Sequence, residues 1–399
     1  MSAKVPNDQF ELFVFEGVPD PVEPALAQVR RRASVCPDLR LRICDDNPLR
    51  YPVWVLGAVA DTQLVVHDGL DWPSCLDAVA ALFEDQLDVS REAWRLHVFA
   101  PVAGVPGSSG AVTVVVLQIS HTLADGARVA ALAAWLFGRA HPVPLIATSR
   151  RGSLLLRAAD AARTHRQLVR DLDAGMLPAP SPPRAPLQTN AAPAGVRRVR
   201  TVLRDRAALT GGTVTVSVLA AISTALAGYL RDRGDDPSEL AAEIPMAHTG
   251  TREAHNHFRN IGVRLHPELA VARRAELIAA ELGAGRQRGE HPAAIASRRS
   301  FDAIPAPLLR WGVGKFDPSA RSPAVTGHTV VSSVNRGAAD LRFGGAPVLF
   351  TAGYPALSPM MGLVHGLHGI GDTVAISVHA ADSAGDVDEY VARLEHALG

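Results

Sequence analysis

The strongest hydrophobic pattern in the chain is a nearly unbroken β-branched run, Val112-Thr113-Val114-Val115-Val116-Leu117-Gln118-Ile119. A strand with one face in water alternates apolar and polar positions, so this run predicts a strand covered on both faces. It stops at Ser120-His121, and a helical pattern takes over from about Asp125. Val129, Leu132, Ala133, Leu136 and Phe137 recur at i, i+3, i+4, i+7 and i+8, one face of a helix. Ala131, Ala134 and Trp135 on the other face predict a helix buried nearly all round. His121 is thereby placed on the turn between a central strand and a central helix. Side chains at such positions commonly project into clefts.

The rest of the chain divides around this unit. Residues 10–15 are apolar and extended, 22–32 carry a helical pattern, and 39–43 and 51–56 read as strands. A helix is expected at 74–86, and 93–99 alternate as a half-buried strand does. A charged helix follows at 153–174, and then residues 178–193 carry six prolines, a density that holds a chain extended. The second half opens with an alternating strand at 196–204. Helices are expected at 214–230 and 271–286, strands at 261–265, 328–334, 348–351 and 373–379, and an amphipathic helix at 386–398. Interleaved strands and helices predict α/β lobes. The chain, 399 residues long, suits two of them: residues 1–146, a crossover linker at 147–195, and 196–399.

Composition narrows the function. A formal net charge of zero removes the electrostatic argument for nucleic acid, which needs an excess of Lys and Arg to neutralise phosphates. Cys36, Cys44 and Cys75 are odd in number and have no CxxC spacing, so neither a disulfide framework nor a zinc site is expected and a reducing cytoplasm is the natural compartment. The first residues are polar, unlike a signal peptide, and no uninterrupted apolar run has the length of a membrane span. Peripheral contact with a membrane stays open.

The candidate chemistry is Ser120-His121-Thr122-Leu123-Ala124-Asp125-Gly126. An imidazole on a strand–helix turn can accept a hydroxyl proton near neutral pH. Asp125 falls at the helix start, where exposed N–H groups favour a carboxylate, and is expected to fix the turn through a hydrogen bond or an Arg partner. Gly126 allows close backbone packing.

These seven residues resemble the HHxxxDG signature of CoA-dependent acyltransferases and condensation domains. The likeness to the wax ester synthase/diacylglycerol acyltransferase family extends further. Pro37–Arg42, Tyr51-Pro52-Val53-Trp54, His67 and Leu87–Trp94 are similar to successive landmarks of its first lobe. Residues 212–231, Arg259-Asn260 with Leu265-His266-Pro267, Val331–Gly337 and Tyr354–Pro359 are similar to landmarks of its second. The resemblance implies two chloramphenicol-acetyltransferase-like α/β lobes with an active-site tunnel at their interface. His121 would be the general base, supported by Ser120, Asp125 and Gly126, with Asn260, Ser332 and Ser333 lining the tunnel from the second lobe. It implies no metal and no cofactor beyond the thioester of acyl-CoA or acyl carrier protein as co-substrate, the acyl group passing to a hydrophobic alcohol or diacylglycerol-like acceptor. A condensation-type enzyme fed by a carrier protein, and a lapsed binding or scaffold protein, are the alternatives. The chain departs from the family at Ser120 (its first histidine), Thr215-Val216 (its Asn-Asp) and Ser332–Gly337 (its SNVPGP).

Other candidates carry less. His255-Asn256-His257 and His365-Gly366-Leu367-His368 suggest a metal, yet no cysteine or spaced carboxylate completes either, and histidines of surface loops are the expected reading. No GxSxG elbow or GxGxxG fingerprint occurs, and Gly312-Val313-Gly314-Lys315 lacks phosphate-loop spacing.

Overall fold

The apolar run at 112–119 lies inside a seven-stranded sheet, in a computed structural model that describes residues 4–147 and 152–399. The first part of the chain forms β1 (Asp8–Phe15), α1 (Glu23–Val35), β2 (Leu41–Cys44), β3 (Val53–Leu56), β4 (Leu64–His67), β5 (Leu70–Asp71), α2 (Trp72–Ala81), β6 (Trp94–Ala103), β7 (Val112–Ser120) and α3 (Gly126–Leu136). Helix α4 (Leu154–Asp173) follows. The remainder forms β8 (Arg197–Asp205), α5 (Val214–Arg231), β9 (Ala241–Ala247), β10 (Phe258–Arg264), α6 (Val271–Glu290), α7 (Pro292–Asp302), α8 (Ala306–Lys315), β11 (Thr329–Asn335), β12 (Arg342–Phe343), β13 (Ala346–Tyr354), β14 (Leu363–Ile370), β15 (Thr373–Ala381) and α9 (Val387–Leu398).

The first sheet runs β12-β13-β1-β7-β6-β4, with β5 also on β6; the second runs β10-β9-β11-β14-β15-β8. Every residue of β7 is buried. Val115, Leu117 and Ile119 enter the core under α1 and α3, while Val112, Val114 and Val116 enter the one under α2. Two-sided burial is the physical reason its sequence does not alternate. In the second lobe α5 and α9 cover the sheet with a separate core. Helix α5 is long and apolar enough to cross a membrane, but 67% of it is buried inside the protein as the central helix of that core.

Several expectations need correction. The segment from 196 onward does not all belong to the second lobe: β12 and β13 complete the first sheet, with Phe13 of β1 opposite Thr351 and Leu12 opposite Ala352 in an antiparallel pair. Helix α2 begins at Trp72, because Asp71 caps it by accepting from the Ser74 N–H at 2.9 Å. Helix α3 is less enclosed than its composition suggests, with Ala127 and Ala130 facing a cavity. His365 and His368 are not surface loop residues: both lie on β14, 0% and 2% exposed. Gly366 between them and Gly369 after them mask the strand pattern, and His365 is tied to Thr329 Oγ1 at 2.8 Å and Tyr390 Oη at 2.6 Å.

Candidate active site

His121 follows the last residue of β7, and its backbone N–H donates to the Asn7 carbonyl at 2.7 Å, continuing the pairing with β1 for one more residue. Its ring is gripped from the other lobe. Asn256, in the loop between β9 and β10, lies 2.8 Å from His121 Nδ1 through Oδ1, and its Nδ2 donates to the His121 carbonyl at 2.6 Å. A carbonyl oxygen only accepts, so the amide nitrogen of Asn256 must face it and Oδ1 must face the ring. Nδ1 therefore carries the proton and donates, and Nε2 is left with the lone pair. Phe258 flanks the ring, its centroid 5.3 Å away.

Asp125 caps α3 by accepting from the Arg128 N–H at 3.0 Å. Arg252 donates to it from both terminal guanidinium nitrogens, Nη1 and Nη2, at 2.8 and 3.0 Å, and the His257 N–H donates to it at 2.8 Å. Burial pushes the Asp125 carboxyl up, yet these donors together hold it below the usual carboxylate range. The partner anticipated from the helix-start position is thus an arginine of the second lobe. His255 adds another tie, its Nδ1 lying 2.7 Å from the Leu123 carbonyl, so the 255–257 triplet clamps the motif to the β9–β10 loop. No group of three or more His, Cys, Asp or Glu side chains among the described residues is arranged to hold a metal.

Gly126 packs the two lobes together: a Cβ there would sit 3.0 Å from Val334 Cγ2 of β11. Ser120 is 1% exposed, and its hydroxyl accepts from Asn7 Nδ2 and from the Thr122 N–H, both at 3.3 Å. It belongs to the turn and does not reach the cavity.

That cavity, about 480 Å³, opens between the lobes. His121, Asp125 and Gly126 line it from the first, Asn260, Ser332 and Ser333 from the second. Asn260 donates to Glu243, and Ser333 Oγ lies 3.0 Å from Thr215 Oγ1, so two of the family departures meet in one hydrogen bond. Deeper in, Glu11 of β1 pairs with Arg336, and His368 Nε2 lies 3.6 Å from the same carboxylate. Burial pushes Glu11 up and Arg336 down from their ordinary values, each opposed by the charge of the other.

Sequence reading missed Asn256, Arg252, Glu11, Arg336 and His368 as site residues. Asn256 had a visible signal, an amide between two histidines; the others act only through contacts between distant segments.

No family model and no curated protein matches the chain. Solved structures do. The wax ester synthase/diacylglycerol acyltransferase of Marinobacter aquaeolei VT8 aligns at 20% identity and TM-score 0.64, over 99% of this chain and 94% of that one. The first condensation domain of the CDA synthetase aligns at 15% and 0.57, over 98% and 89%. The starter condensation domain of rhizomide synthetase, solved as a mutant with C8-CoA and Leu-SNAC, aligns at 17% and 0.55, over 99% and 88%. At these identities the likeness is one of fold: this chain is a two-lobed, chloramphenicol-acetyltransferase-like α/β protein with the architecture of wax ester synthase and condensation domains.

Proposed function

We propose that the protein transfers an acyl group from a thioester to an alcohol, with His121 Nε2 as general base. The observation that carries this reading is the double hydrogen bond from Asn256, which leaves Nε2 of a cavity-lining histidine free to accept a proton. As the hydroxyl oxygen attacks the thioester carbonyl, Nε2 takes the hydroxyl proton. The tetrahedral intermediate then collapses with cleavage of the C–S bond, and Nε2 returns the proton to the departing thiolate. The products are an ester and a free thiol. Asp125 and Arg252 hold the turn and take no part in proton transfer.

The Marinobacter neighbour is, by its name, a synthase of wax esters and an acyltransferase to diacylglycerol, which supports acyl-CoA as donor and a hydrophobic or diacylglycerol-like alcohol as acceptor. The condensation-type alternative, with a carrier-protein thioester and an amine or alcohol, draws on the rhizomide domain bound to C8-CoA and Leu-SNAC. Cys36, Cys44 and Cys75 are unpaired, in keeping with a cytoplasmic setting. Purified protein incubated with mixed acyl-CoAs and alcohols should release free thiol in proportion to ester formed. Absence of release with every donor, carrier-bound thioesters included, would leave the scaffold reading.

A further inference from the structure

The floor of the cavity is wrong for a plain hydrocarbon chain. Glu11, on β1, points to the same cavity as His121, and His368 of β14 lines it beside Glu11. Both protein partners of this carboxylate, Arg336 and His368, meet it at Oε2, so Oε1 is the oxygen available to a ligand. The cluster is also under-satisfied: Arg336 Nε and Nη1, behind the cavity wall, and His368 Nδ1 are buried without a hydrogen-bond partner. Seating an alkyl terminus on such a cluster desolvates polar groups and returns no hydrogen bond. The reach is set by the strand. The Asn7 carbonyl holds the His121 backbone, and Glu11 lies four residues further along β1, about 13 Å at the rise of an antiparallel strand.

We infer that the substrate occupying the stretch between His121 and Glu11 carries a second hydrogen-bonding group, a hydroxyl or amine, at its far end, and that Glu11, held by Arg336 and flanked by His368, selects for it. This rests on the acyl-transfer reading and narrows it, since the chain beside the reacting group can be aliphatic while its terminus is polar. A site built to hydrogen-bond a hydroxyl rejects the analogue lacking it far more strongly than an apolar pocket rejects an added one.

The test compares two pairs of substrates: 1-octanol against 1,8-octanediol as acceptor, and octanoyl-CoA against 8-hydroxyoctanoyl-CoA as donor. In one pair the hydroxylated member should show kcat/KM higher by about tenfold or more, beyond the twofold that two equivalent ends give a diol. Parity or preference for the plain chain in both pairs would overturn the inference. The double variant Glu11→Leu/Arg336→Met, which replaces the ion pair with apolar side chains of similar bulk, should erase or reverse the preference. A folded double variant that keeps the preference would also overturn it. The wild-type comparison stands even where that variant fails to fold. If no thiol is released from any combination, the acyl-transfer reading fails by itself, and the same four ligands are compared by their shift of the melting temperature. There a larger shift with a hydroxylated member upholds the selection at Glu11, and equal shifts in both pairs refute it.

Discussion

Asn256 holds His121 at both ends, accepting from the ring and donating to the backbone carbonyl, from a position 135 residues later in the chain. One amide thereby sets the tautomer and the ring orientation, and it does so across the lobe interface. Asn256→Ala should lower kcat by about 10²-fold with little change in KM, since a base displaced by about an ångström costs that much. Asn256→Asp, which can still accept from Nδ1, should recover part of the loss. Steady-state kinetics on both variants decide; equal KM and kcat effects, with no recovery by Asp, would deny Asn256 this role.

Asp125→Ala should show first in stability. The variant loses a helix cap and leaves Arg252 facing a half-buried gap, a loss of about 2–4 kcal/mol. Because the Asp125 pKa is depressed in the folded protein, its contribution is full above the ordinary carboxylate range. It fades as pH falls through the lowered value. Denaturant titrations of wild type and variant should therefore diverge at pH 7 and converge in strong acid. Coincident curves at pH 7 would contradict the structural role.

Ser120→Ala should keep more than about a tenth of the activity, a loss smaller than about 1.4 kcal/mol in the barrier. The hydroxyl accepts two long hydrogen bonds in the turn and lies outside the cavity, so its removal should cost about 1 kcal/mol of stability. A collapse of turnover comparable to that of His121→Ala, with folding intact, would place Ser120 in the chemistry.

The strand–turn–helix around His121 was legible because its signals are local: a β-branched run, a helical period and a carboxylate at the helix start. Tyr51–Leu56 and the segments around β11 and β15 were legible for the same reason. The crossing of β13 into the first sheet was not, since a strand's own pattern says that it is covered and not by which neighbour. Strand β14 was hidden by Gly366 and Gly369: the first holds its backbone close to β13, where a Cβ would come 2.0 Å from the Gly353 carbonyl oxygen, and the second makes room for the Arg206 guanidinium. The ties of Arg252 and Asn256 to the motif, and of Arg336 to Glu11, join residues more than a hundred positions apart. Charge and polarity mark such residues as ordinary surface until the fold brings their partners in.

Several buried histidines make stability depend on pH. Burial pushes His97 and His379 down to about 4 and His365 to about 3. The unfolded chain binds protons at these rings near pH 6.5 and the folded protein refuses them until lower pH, so their contribution to stability falls on acidification between those limits. His365→Phe should flatten the dependence of unfolding free energy on pH between about 6 and 4 by about one proton. An unchanged slope in urea titrations would show that His365 is not the neutral core residue described.

The central claim is that His121 Nε2 removes the acceptor's proton. Its most direct test is single-turnover thiol release from acyl-CoA in the presence of an alcohol, by wild type and His121→Ala, with the melting temperature of each recorded. The account predicts a loss of about 10²–10⁴-fold at an unchanged melting temperature. Equal rates of alcohol-dependent thiol release in the two proteins would contradict it.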